Sequence, residues 1–380
     1  MSKAETTRTN DEEMPLSIGI LGTSNIARKN ILAIATSKNA TSLIVGSRDE
    51  KRARDYAEET NVPQHGSYNQ VLAHPNVDSV YIPLPTTTHL EWVLKAAKSG
   101  KHVLCEKPVA VNTSELIEML RACRQANVAF MDGVMFMHHN RLEQLRAAFD
   151  GGALGPSGPR QINSQFSFHG DASFFANNIR CSAACDPLGC IGDLGWYNVR
   201  FSLFVFEYEL PQTVRCSLNS SSKEGVPFQA TGTMTWRSEK EETREGVPVA
   251  PRSSTFVCSF LHTECQNATI VGDEGFIELD DFVIPKDSEL TTFSRVKHAW
   301  GAKAQKIQVV KKVEECPGDQ TVAMWDRFHS IARKNSCPKD MEQRQFFAEV
   351  VLKTQMVVDA LMESARSGGS EVEVGEMVVL

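Results

Sequence analysis

Three residues of this sequence have the right types to move a proton at an oxygen-bearing carbon: Lys107, Asp193 and Tyr197. Lys107 stands in "KHVLCEKP" (Lys101 to Pro108), where an apolar run ends and Pro108 fixes the exit. As hydride leaves an alcohol carbon, some group must take the hydroxyl proton; the reverse reaction needs a donor to the carbonyl. A lysine, with an ordinary pKa of about 10.4, must be lowered by a confined site to act near neutrality. Tyr197 is an alternative acid/base, and a nearby ammonium would lower its pKa. Asp193 and Tyr197 are four apart, so on a helix they face the same way. Asp193 would then orient a hydroxyl or tune Lys107. Each residue also has a plainer reading: a surface lysine, a helix cap after Gly192, and a half-buried aromatic with a wet hydroxyl.

A second set of residues suits a dinucleotide. The stretch "SIGILGTSNIARKN" (Ser17 to Asn30) follows the G-x-G-x-x-G pattern only in part, reading Gly22, Ser24 and Ala27. Gly22 keeps the tight turn, and Ala27 is small enough for close helix–strand packing. Ser24 puts a Cβ toward the phosphates, yet its hydroxyl can donate to a phosphate oxygen. The helix that follows aims its free N–H groups at the same place. Gly22, Thr23, Ser24, Asn25 and Ile26 are therefore candidate cofactor ligands. Where a ribose-binding carboxylate would stand about 20 residues on, the chain has Ser47 and Arg48. These suit a 2′-phosphate, which favours NADP, with NAD as the alternative. Asp49 reads as the start of the next helix.

The elements that must position these residues alternate through the first third. Apolar runs at "LSIGIL", "SLIVGS", "DSVYIPLP", "KHVLCEKP" and "VAFMDGVMF" are separated by helical patterns, one capped by Thr113 or Ser114. Such alternation predicts a doubly wound parallel sheet, with ligands beyond the carboxyl ends of its strands. After about residue 150 the pattern becomes strands with turns, which predicts a second α+β domain with a large, mostly antiparallel open sheet. "GCIGDLGWYNVRFSLFVF" is the exception and reads as a buried helix; residues 238–253 read as a mobile hairpin loop. Two helices, near Gln320–Lys334 and Met341–Ser367, close the chain before a short strand. The expected division is a flexible tail over 1–14, a Rossmann domain over 15–137, and a substrate and oligomerisation domain over 138–380.

Bulk properties narrow the function. The 380 residues carry a net charge of −7, which argues against a nucleic-acid partner. No run approaches the ~20 apolar residues of a membrane span, and the polar start does not look like a signal peptide. A cytoplasmic protein is expected. Ten cysteines at irregular spacing suggest reduced thiols; Cys181, Cys185 and Cys190 lack paired zinc spacing, so no metal is expected.

Taken together, "GILGTSNIARK", "PLPTTTHLEW", "GKHVLCEKP" and "GDLGWYNVR" resemble the glucose–fructose oxidoreductase and inositol dehydrogenase family (Gfo/Idh/MocA) along nearly the whole chain. With Tyr197 where inositol-dehydrogenase-like members carry His, the chain is more similar to the dimeric dihydrodiol dehydrogenase and NADP-dependent D-xylose dehydrogenase branch, and to plant members of it. The resemblance implies an NAD(P)-dependent oxidoreductase of sugars, cyclic polyols or dihydrodiols, and a homodimer formed through the C-terminal sheet. It implies Leu84, Pro85, Thr86, His89, Glu106 and Lys107 beside the cofactor, with Thr86 and Glu106 near ribose and His89 starting a helix toward the nicotinamide end. His138, Arg180 and Trp196 are candidate substrate contacts. Of the adjacent pair His138 and His139, at least one is expected in solvent; relatives have an arginine near Met137 that this chain lacks. Arg180 has an acid partner as its alternative, and Trp196 a place in the core. The competing reading is a non-catalytic NADP-binding redox sensor or partner-binding protein, which has no need for Lys107, Asp193 and Tyr197 together.

Overall fold

At the middle of a six-stranded sheet, β1 (Leu16–Leu21) buries Leu16, Ile18, Ile20 and Leu21 completely. Burial on both faces is what a parallel strand covered by helices requires. This is seen in a computed structural model that describes residues 14–236, 243–244, 247–248, 250–287, 290–300, 307–333 and 338–378. Residues 1–13 of the expected 1–14 tail, and 238–242, 245–246 and 249 of the expected 238–253 loop, lie outside the described residues.

The chain continues through α1 (Asn25–Thr36), β2 (Ala40–Gly46), α2 (Glu50–Thr60), β3 (Gln64–Gly66) and α3 (Tyr68–Ala73). It then forms β4 (Ser79–Ile82), α4 (His89–Lys98), β5 (His102–Cys105), α5 (Thr113–Gln125) and β6 (Phe130–Asp132). The strand order is β3-β2-β1-β4-β5-β6, with every pairing parallel. The order reverses between β1 and β4, and that switch point opens a crevice at their carboxyl ends. Three details differ from the sequence expectation. The three-residue β3 is too short to show a period. The cap of α5 is Asn112, whose side chain accepts from the Glu115 amide at 3.0 Å, so Thr113 is already inside the helix. The last strand stops at Asp132, where the Gly133 amide turns back to Cys105 O at 2.8 Å.

The second sheet follows α6 (Asn140–Asp150). Its strands are β7 (Gln161–His169), β8 (Thr213–Ser221), β9 (Pro227–Trp236), β12 (Arg252–Ser259), β13 (Leu261–Val271), β14 (Gly275–Leu279), β15 (Leu290–Trp300) and β16 (Ile307–Pro317), closed by β17 (Val372–Glu373). A separate small hairpin pairs β10 (Thr243–Arg244) with β11 (Val247–Pro248). The nine strands run β16-β15-β14-β13-β7-β12-β9-β8-β17, antiparallel except for β7 beside β12. Helices α7 (Ala172–Asn177) and α8 (Trp196–Val205) lie between β7 and β8 in sequence. All of α8 is buried, its polar residues Asn198, Arg200 and Ser202 included.

Two closing helices return to the first sheet. α9 (Gln320–Arg333) sets Met324, Trp325, Phe328 and Ile331 in one core with Ile31 and Ile34 of α1 and with Tyr81 of β4. α10 (Pro338–Arg366) places Thr354 against Arg200 of α8. No helix among the described residues is long and apolar enough to cross a membrane.

Candidate active site

Lys107 leaves β5 two residues after its last paired position, so its side chain emerges at the carboxyl end of the first sheet. Across from it, residues Ile191–Gly195 form one π-helical turn that runs directly into α8. π-turns inside helices recur at functional sites. Gly192 lets this turn come close: a Cβ there would lie 2.6 Å from Leu188 Cβ and 3.0 Å from the ring of Pro108. The approach brings Asp193 to Lys107. The ammonium donates to Asp193 Oδ1 at 2.6 Å and to Asp193 O at 2.7 Å, and it lies 4.8 Å from the centre of the Tyr197 ring. Arg180 holds the second carboxylate oxygen at 2.8 Å. Both side chains of the Lys107–Asp193 pair are less than a tenth exposed.

This geometry reverses two sequence expectations. Burial pulls the Lys107 pKa down, but the adjoining Asp193 carboxylate and Tyr197 together outweigh it and the pKa is raised. Tyr197 is likewise pushed up to about 12, because burial outweighs the nearby ammonium. Burial would also raise Asp193, yet Arg180 and Lys107 hold it well below the usual carboxylate range. Near neutrality the site therefore presents two protonated groups, an ammonium and a phenol, around one fixed carboxylate. An ammonium has three N–H donors, so Lys107 keeps one beyond the two given to Asp193.

The other candidates divide. Glu106 is buried beside Lys107; burial raises its pKa, while a hydrogen bond from Tyr81 opposes the rise. Thr86 is buried after β4 in the 3₁₀ turn Thr86–Thr88, flanked by the half-buried Leu84 and Pro85. His89 opens α4, and its ring nitrogens lie 2.8 Å from Leu84 O and 3.0 Å from Val109 O. It ties the turn after β4 to the segment after β5. Trp196 is wholly buried in the core. His138 lies elsewhere: it stacks on Phe347 in a cavity with Asp132 and Arg200, whose lining includes none of Lys107, Asp193 and Tyr197. Neither of the adjacent histidines is exposed, contrary to the expectation for at least one: His138 is half-buried, and His139 is buried and caps α6 while its Nε2 lies 2.6 Å from Gly318 O.

Sequence reasoning missed Asp186. This carboxyl is 4% exposed, and its Oδ1 has no hydrogen-bond partner. Burial pushes its pKa up to about 7, Asp193 adds to the rise, and Lys107, Arg180 and Thr86 oppose it. Its "DP" setting before "LGC" was the available signal, and nothing in that local pattern separates it from a turn residue.

At the other end of the crevice, Gly22 adopts φ +135°, where a side chain would be strained. Ser24 caps α1, its Oγ accepting from the Ala27 amide at 3.3 Å. That bond uses a lone pair and leaves the hydroxyl proton to donate. The first-turn amides of Asn25 and Ile26 have no intrahelical acceptor, by the geometry of any helix start, and both residues are exposed. Ser47 is buried with its Oγ bonded to the Asp49 amide, Arg48 is exposed, and Asp49 caps α2. Tyr56 O–H supports the turn by donating to Ser24 O at 2.8 Å, and Arg52 reaches Thr23 O at 3.4 Å. A glycine turn, a capped helix start and an exposed arginine after β2 fit a dinucleotide carrying a 2′-phosphate.

Comparison with known proteins agrees with this architecture. Residues 16–134 match the family model described as "Oxidoreductase family, NAD-binding Rossmann fold". A dTDP-3,4-didehydro-2,6-dideoxy-alpha-D-glucose 3-reductase of Streptomyces violaceoruber is 26% identical over 92% of this chain and 95% of its own length. D-xylose 1-dehydrogenase (NADP(+)) 2 of Haloferax volcanii is 36% identical over 40% of this chain and 46% of its own. The mouse trans-1,2-dihydrobenzene-1,2-diol dehydrogenase is 31% identical over 53% and 59%. The crystal structure of KijD10, a 3-ketoreductase from Actinomadura kijaniata, in complex with NADP and TDP-benzene, superposes with a TM-score of 0.74. That match has 23% identity and covers 93% of this chain and 98% of that one, which shows a shared fold. The matched model is that of the Gfo/Idh/MocA family, and it covers the first sheet, residues 16–134 of this chain.

Proposed function

We propose that the protein is an NADP-dependent oxidoreductase that interconverts a hydroxyl and a carbonyl on a sugar, cyclic polyol or dihydrodiol-like substrate. The observation that carries this reading is the buried Lys107 ammonium, pinned by Asp193 and facing Tyr197 at the carboxyl end of β5. The bound nicotinamide supplies or accepts the hydride. Lys107 and Tyr197 manage the proton. In reduction, the carbonyl carbon gains hydride, its π pair moves to oxygen, and a proton from Lys107 or Tyr197 completes the hydroxyl. The remaining N–H of Lys107 is the donor left for that oxygen. Asp193 stays ionised and fixes the ammonium, so positioning and charge are in place before the substrate arrives. Because both candidate donors hold their protons at neutral pH, the resting site is set for reduction, and oxidation rates should climb toward alkaline pH. The Gly22 turn, the start of α1 and Ser47–Arg48 suit the pyrophosphate and the 2′-phosphate. The sugar-acting and diol-acting relatives, one of them NADP-dependent by name, support the substrate class and the cofactor.

A screen of aldoses, keto-sugars and trans-diols, read by nicotinamide absorbance with both NADP(H) and NAD(H), tests the proposal. Turnover of at least one member, faster with the phosphorylated cofactor, is expected. Tight NADP binding without turnover on any of them would instead favour a redox sensor.

A further inference from the structure

Behind Glu106 runs a buried chain of hydrogen bonds that crosses three elements. Trp325 Nε1, on α9, lies 3.0 Å from Asn30 Oδ1 on α1. Asn30 Nδ2 lies 2.8 Å from the Tyr81 hydroxyl of β4, and also 3.0 Å from Ile26 O. The Tyr81 hydroxyl lies 2.5 Å from Glu106 Oε1. The second oxygen, Oε2, accepts from the Lys107 amide at 3.3 Å. Trp325 and Tyr81 are fully buried, and Asn30 is 2% exposed.

The direction of every bond in this chain is forced. An indole nitrogen donates and cannot accept, so Asn30 must turn its carbonyl oxygen to Trp325. The Asn30 amide then faces Ile26 O and Tyr81, and it donates to both. With a donor already at its oxygen, Tyr81 sends its single proton toward Glu106. A carboxylate accepts such a bond on either oxygen, whereas a protonated carboxyl gives up part of that capacity. Burial pushes the other way and favours the neutral acid.

We propose that Trp325, Asn30 and Tyr81 form a positioning relay that holds Glu106 as an ionised carboxylate beside Lys107. The three act through Glu106 and touch no reacting atom themselves. Tyr81 also packs edge-on against the Trp325 ring at 5.6 Å, so the relay is rigid as well as directional. Its consequence is that α9, which lies beyond the second sheet in sequence, helps set the charge at the end of β5. The groups acting on Glu106 are Tyr81 from β4, Lys107 and Cys105 on its own segment, and Arg180 and Tyr197 from the opposite wall. Lys107 and Arg180 favour the carboxylate, and the two positioning bonds add to that preference. The bearing of the relay on turnover rests on the proposed function; the charge of Glu106 does not.

Difference infrared titration of the protein without cofactor reads that charge directly. The carboxylic-acid band that Glu106→Gln removes reports its midpoint. Loss of a hydrogen bond to a charged group should raise the midpoint by about 1 pH unit in Tyr81→Phe. Trp325→Phe keeps an aromatic ring, is the gentler test of folding, and should raise it by a smaller amount through the freed Asn30. In the same variants, the acid limb of kcat/KM should move to higher pH by the same amount, with near-normal rates above it. An unmoved infrared midpoint in both variants overturns the relay. A moved midpoint with rates reduced equally at every pH overturns its part in the reaction. Absence of turnover in the unaltered protein would count against the proposed function alone, since the infrared result stands without it.

Discussion

Lys107 differs from a surface lysine because Asp193 supplies both a carboxylate oxygen and a backbone carbonyl to the same ammonium. Asp186 is the group beside it that titrates near neutrality. Its folded pKa, about 7, stands above the ordinary carboxyl value of 3.8. Between those values the folded protein binds the extra proton, so the stability from this group falls as pH rises through that window. Asp186→Asn should flatten the thermal stability profile between about pH 4 and pH 7; an unchanged profile would show that Asp186 is ionised throughout. On the proposed reading, Arg48 carries the choice of cofactor. Arg48→Ala should weaken NADP binding about tenfold or more and leave NAD nearly unaffected, since a charge-assisted bond to phosphate is worth about 1.5–3 kcal/mol. Equal losses in two calorimetric titrations would remove Arg48 from the 2′-phosphate site. At this scale the sequence was informative where residue type and strand position coincide, as at Lys107 and Gly22. It gave the wrong pKa direction for Lys107 and Tyr197, because burial is a tertiary property and Asp193 reaches Lys107 from 86 residues away.

The helix that carries Tyr197 is held in place by a second buried ion pair. Arg200, one turn along α8, donates to Asp132 Oδ2 at 2.6 Å and to Thr354 Oγ1 at 2.7 Å. Asp132 is the last residue of β6, and Thr354 lies on α10. One arginine thus clamps α8 to the first sheet and to the last helix. Removing one partner leaves a buried charge uncompensated, at a cost of about 3–5 kcal/mol. Asp132→Ala should lower the denaturation midpoint accordingly, whereas Asp132→Leu with Arg200→Met should recover most of the loss. Failure of the double variant to recover would show that the pair is not acting as a clamp. The buried helix itself was legible from its apolar-rich sequence, in which Asn198, Arg200 and Ser202 are the polar exceptions. The π-turn was not, since its cause is the close packing of Gly192 on Pro108, a tertiary contact. The shortened β6 has a similar origin, in the turn at Gly133 that periodicity does not report.

Over the whole molecule, the alternation of the first third and the strand-rich remainder were enough to anticipate both sheets. The return of α9 to the first sheet was not, because an amphipathic pattern does not say which sheet it covers. The crevice is likewise a product of distant segments: Gly22 and Arg48 at one end, Glu106 and Lys107 just after β5, and the segment from Arg180 to Tyr197 on the opposite wall. On the proposed function, cofactor grip and proton handling rest on largely different residues and should separate on mutation. The most direct test is Lys107→Met, assayed for turnover on the substrate found by the screen and for NADPH affinity by fluorescence. The account predicts a fall in kcat of at least about 100-fold with cofactor affinity within a few-fold of the unaltered protein. Undiminished turnover, or a loss explained wholly by weaker cofactor binding, would contradict it.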